Sequence, residues 1–144
     1  MNKLTQTFLL LVFLVFTSIA GAQTVKIKKD EVFVDNELRF KSEKRLNATQ
    51  FSLYHLTNGK EILTVIRNLN GTIGFSEDDY IQIIFNGFNT RVESEQIKGR
   101  TFAWYLELLL RDKVLHPDGT INEENLRNFF TKYDQNITNR TLRY

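Results

Sequence analysis

Apolar and polar residues alternate singly through the first part of the chain and change to a helical period after residue 100. Val25 and Ile27 alternate with Lys26 and Lys28, the pattern of a half-buried strand with its lysines in water. Val32-Phe33-Val34 and Leu38-Arg39-Phe40 flank Asp35-Asn36-Glu37, which reads as a short hairpin. Residues 51–56 (FSLYHL) and 62–66 (ILTVI) flank Thr57-Asn58-Gly59-Lys60. Asn-Gly tolerates positive φ at both central positions of a type I′ turn, so a second hairpin is expected there. Asn86-Gly87 separates residues 80–85 (YIQIIF) from 88–94 (FNTRVES) in the same way. Between these hairpins, residues 68–79 are rich in Asn, Gly and acids and read as a loop around a short strand at 72–75. Six or seven strands are expected, pairing mostly neighbour to neighbour.

Thr101 is a helix cap for a segment reaching Lys113, with Phe102, Tyr105, Leu106, Leu109 and Leu110 on one stripe. Trp104 and Leu108 lie off the stripe, so this helix is apolar round most of its circumference and must be buried on several sides or cover a partner. Pro117-Asp118-Gly119 makes a turn, and Asn122 caps a second helix whose first turn carries Glu123 and Glu124. Leu126, Phe129, Phe130 and Tyr133 form its single apolar stripe. Residues 136–144 are polar and are expected on the surface. Strands first and helices last define an α+β domain: an antiparallel sheet of about six or seven strands with two C-terminal helices packed on it.

The N-terminus assigns a compartment. Lys3 precedes an unbroken apolar run at 8–16, and Ala20-Gly21-Ala22 fits a signal-peptidase site, so cleavage is expected between Ala22 and Gln23. The stretch 8–22 is 15 residues long, short of the about 20 that span a bilayer. No membrane span is therefore expected after cleavage. Removing residues 1–22 from the 144 leaves a single domain of 122 at 23–144. Losing Lys3 lowers the net charge from +2 to +1, too balanced to steer the protein to nucleic acid. An exported chain with no cysteine reads as a periplasmic or secreted bacterial protein. Sequons at Asn47, Asn70, Asn136 and Asn139 reflect an asparagine-rich composition and leave glycosylation open.

Candidate chemistry is sparse. Asp118-Gly119-Thr120-Ile121-Asn122-Glu123 resembles the second half of an EF-hand loop. With Gly119 at the sixth position, however, Val114 occupies the first, where a carboxylate must stand. Glu77-Asp78-Asp79 is the densest acidic cluster, and a solvated loop is its ordinary reading. His55 and His116 lack zinc-ligand spacing, and no metal site or cofactor is expected. Ser42, Ser52, Ser76 and Ser94 lack a nucleophile frame, a cysteine nucleophile is excluded, and no phosphate-cradling loop occurs. No catalytic residue is assigned, which leans the chain away from an enzyme. The lysine groups at 26–29 and 41–45 read as wet strand faces. Fifteen of the 122 residues after the signal are aromatic, enough to fill a core or to line an apolar pocket.

Asp118-Gly119-Thr120-Ile121-Asn122, Phe129-Phe130, Lys132-Tyr133-Asp134 and Thr141-Leu142-Arg143-Tyr144 resemble the C-terminal part of small exported bacterial proteins to which no activity attaches. That resemblance implies a bacterial origin and assigns no site. The expected function is an exported, non-catalytic binding or protein-interaction domain of the bacterial envelope, with Phe102, Trp104 and Leu108 as its contact face. Its partner would be an envelope protein or a small apolar ligand. A small apolar-ligand carrier and a carboxylate-based envelope hydrolase are the alternatives.

Overall fold

The computed structural model describes residues 21–72 and 74–141. The signal sequence, all but its last two residues, lies outside the described set, as do Ile73 and residues 142–144.

Seven strands form one antiparallel sheet: β1 (Val25–Lys28), β2 (Glu31–Val34), β3 (Glu37–Arg45), β4 (Gln50–His55), β5 (Glu61–Asn68), β6 (Tyr80–Phe85) and β7 (Thr90–Ser94). Each pairs with its neighbours in chain order, so the sheet is a simple meander with β1 and β7 at its edges. The turns differ from the Asn-Gly expectation. The tight two-residue turn with both φ angles positive is Asp35-Asn36, at 50° and 65°, residues whose short side chains tolerate the left-handed region. In the Asn58-Gly59 connection only Gly59, at 66°, is left-handed, whereas the Asn86-Gly87 connection has both Gly87 at 85° and Asn89 at 48°. In both loops the asparagine before the glycine keeps a negative φ, so neither is the two-residue type I′ turn. No strand forms at 72–75 among the described residues. Thr72 instead donates its N–H to the Leu69 carbonyl, closing a turn.

The alternation in the sequence becomes two sheet faces. Val34, Phe40, Leu53, Leu63, Ile83 and Val92 line one face and are almost fully buried. Three helices follow: α1 (Phe102–Arg111), α2 (Glu123–Tyr133) and α3 (Ile137–Thr141). Thr101 caps α1 by accepting the Trp104 N–H, and Asn122 caps α2 by accepting the Asn125 N–H, so both expected caps form. Phe102 of α1 stacks on Phe51 of β4 with centroids 5.0 Å apart. Glu107 reaches the edge of β1 and accepts the Val25 N–H at 3.0 Å. A helix held against the middle of the sheet and its first strand has few dry sides to spare, which is why its apolar residues encircle it. At the other edge Phe129 of α2 meets Phe85 edge-on at 6.4 Å. No helix among the described residues is long and apolar enough to cross a membrane.

The tail is a correction to the sequence reading. Residues 136–141 are not merely a polar surface extension: Ile137 is buried and α3 docks on β7. A five-residue helix with one apolar anchor carries too weak a period to be seen in the sequence.

Candidate binding groove

The outer edge of β7 is satisfied along only part of its length. Glu93 turns its backbone away from β6. Its N–H donates to the Asp134 carboxylate at 2.8 Å, and its carbonyl accepts the Gln135 N–H at 2.8 Å. The Glu95 N–H donates to the Gln135 side-chain oxygen at 2.6 Å. In an antiparallel pair the outward-facing residues recur every second position. Arg91, two residues before Glu93, therefore aims its N–H and C=O at the same edge, beyond the reach of the Asp134-Gln135 cover.

That stretch of edge forms the floor of a groove of about 610 Å³ whose opposite wall is α2. Phe88, Arg91, Glu123, Leu126, Arg127 and Phe130 line it. The helical stripe explains the wall. Leu126 and Phe129 turn into the core, whereas Phe130 lies one step round the helix and remains 41% exposed. The Arg91 side chain is 50% exposed and that of Arg127 71%, and Arg127 meets Glu123 only at 3.9 Å.

Glu93 fixes one end of the groove. It is 2% exposed, and burial alone pushes its carboxyl upward. Hydrogen bonds from the Thr138 hydroxyl and amide and from the Gln82 amide, with the Arg91 guanidinium beside it, outweigh burial and hold it below the usual carboxylate range. The carboxylate thus clamps α3 to the sheet and is already saturated with donors.

Comparison with family models, curated proteins and solved structures found no match to this chain.

The residues singled out from sequence are distributed differently. Phe102 and Leu108 are buried in the core, at 5% and 1% exposure. Trp104 is half-buried, edge-on to Tyr105, with the Arg100 guanidinium 5.1 Å from its ring centre. Of the three, Trp104 alone reaches the surface to a useful extent. Asparagines 47, 70, 136 and 139 are all exposed.

In the acidic loop, Asp78 accepts hydrogen bonds from Asn70 and Thr72. The Lys98 ammonium donates to the Ser76 and Glu77 carbonyls at 2.8 and 2.9 Å, taking oxygens a cation would need. No group of three His, Cys, Asp or Glu able to hold a metal occurs among the described residues. Ser52 is buried and bonds Glu61 and Thr64 at 3.0 Å each, a pairing across β4 and β5 without an imidazole. Asp118 closes its own turn: the Thr120 hydroxyl and amide hold its carboxyl below the usual range, with His116 adding a smaller effect. The EF-hand likeness is thus a hydrogen-bonded turn leading into a capped helix.

The groove was missed in the sequence for a physical reason. Phe130 is visible as one member of a stripe, but its exposure depends on how α2 is rotated against β7. Which strand forms an edge depends on the whole pairing order.

Proposed function

We propose that this chain is an exported, non-catalytic binding domain that takes an extended segment of another molecule into the groove between β7 and α2. The observation that carries the reading is the edge at Arg91, where an outward N–H and C=O lie beside an exposed phenylalanine. Main-chain groups at a sheet edge supply generic affinity for an extended chain, and a neighbouring apolar wall selects its side chains. The mixed lining of charged and aromatic groups suits a peptide better than a wholly apolar small molecule. Export rests on the N-terminal pattern ending at Ala22.

Selection of random heptapeptides displayed on phage tests this reading. Sequences that enrich on the native protein and are lost on Phe130→Ser are the expected result, and enrichment insensitive to that substitution overturns it. For export, the mass of protein recovered from the periplasm of a Gram-negative host should correspond to a chain starting at Gln23. An uncleaved mass, or retention in the cytoplasm, overturns that part.

A further inference from the structure

We infer that Asn86, in the turn between β6 and β7, is the chain's site of spontaneous deamidation, and that the fold protects the Asn-Gly pairs at Asn58 and Asn70. The inference is independent of the groove reading.

Asn58, Asn70 and Asn86 each precede a glycine, and all three are exposed. With no Cβ on the following residue, its backbone nitrogen can close on the asparagine side chain. That nitrogen gives its proton to water or hydroxide and attacks Cγ. A new C–N bond forms, the bond from Cγ to the side-chain nitrogen breaks, and ammonia leaves. Water then adds to the resulting succinimide and opens it at either carbonyl, giving an aspartyl or an isoaspartyl linkage. The net change exchanges the amide and one water for a carboxylic acid and ammonia, with no oxidation or reduction.

Both reacting groups must be free to move. At Asn58 neither is. The Gly59 N–H donates to the His55 carbonyl at 3.1 Å, and the Asn58 side-chain oxygen accepts the Lys60 N–H at 2.9 Å. At Asn70 the side-chain amide donates to the Asp78 carboxylate at 3.2 Å, and the same carboxylate accepts the Thr72 hydroxyl at 2.8 Å. A negative charge held by the residues on either side of Gly71 disfavours the amide anion that must attack. At Asn86 neither the side chain nor the Gly87 N–H has a hydrogen bond among the described residues. The anchored group there is the Asn86 backbone N–H, which donates to the Ile62 carbonyl at 3.0 Å and takes no part in ring closure. The product is a new negative charge, and in the isoaspartyl form a longer backbone, two residues before Phe88 of the groove.

The test is to age the purified protein in oxygen-18 water at neutral and at mildly alkaline pH, alongside a sample in guanidinium chloride. Peptide mapping with fragmentation then reads label at each site. In the folded protein position 86 is expected to react at least about tenfold faster than position 58, whose two hydrogen bonds must open first, and ahead of position 70, with rates rising with pH. In the denatured chain the three sites should react at similar rates, because the protection belongs to the fold. Asn86→Ser should remove the acidic form that accumulates on ion exchange, whereas Asn58→Ser and Asn70→Ser should leave it. Equal rates at the three sites of the folded protein, or a lead at position 58 or 70, overturn the inference. So does a folded protein unmodified at position 86 after the denatured chain has reacted there.

Discussion

The carboxylate of Glu93 accepts both the amide and the hydroxyl of Thr138, 45 residues further along the chain, and so ties the last helix to the last strand. The same glutamate borders the groove.

Glu93→Ala is expected to destabilise the protein by about 2–3 kcal/mol, the cost of leaving buried donors without a charged acceptor. The folded-state pKa lies below the ordinary 4.5, so the stabilisation is fully present above that value. It is lost as the pH falls through the lower folded-state value. Urea midpoints measured from pH 7 down to 3 should show the native protein losing this increment in acid. Glu93→Gln should show a flatter profile, and parallel profiles would locate the acid sensitivity elsewhere.

Gly119 presses on His55. With φ at +90°, a Cβ placed there would come within 2.4 Å of the imidazole Nδ1. Gly119→Ala should therefore cost about 2 kcal/mol or more, through backbone strain and the collision together. Adding His55→Ala should relieve the collision and leave the backbone share. A double-mutant cycle by thermal or urea unfolding is expected to show the two changes coupled, and strictly additive losses would refute the contact.

Phe51 and Phe102 are the stacked pair that seats α1 on the sheet. Truncating either to alanine should cost about 3–5 kcal/mol, with about 0.5–1.5 kcal/mol of coupling between them. Half-buried Trp104, truncated in the same way, should cost clearly less. Chemical denaturation of the four variants in the cycle, with Trp104→Ala alongside, separates a helix that completes the core from one that mainly offers a contact face. A loss for Trp104→Ala equal to that for Phe102→Ala would refute this ordering.

Much of the fold was legible in local pattern. The alternation at Val25 and Ile27, the stripe of Leu126 and Phe129, and the caps Thr101 and Asn122 each record a preference expressed within a few residues. That is why strands, helices and their order emerge from the sequence alone. Turn type was less legible. Asn-Gly permits two adjacent left-handed residues without requiring them, and in both longer loops the glycine takes that conformation while Asn58 and Asn86 do not.

Composition and short-range period alone yield an alternation of six or seven strands followed by two helical stripes, the absence of cysteine and a near-neutral charge. Strand pairing and helix docking, by contrast, make Phe102 and Leu108 interior, leave Phe130 at a groove, bury Glu93 as a clamp and leave the outer edge of β7 at Arg91 beyond the Asp134-Gln135 cover. Each of these depends on residues far apart in the chain, brought together by strand pairing and helix docking. Periodicity says which face of an element is apolar, whereas the packing partner says how much of that face remains in water.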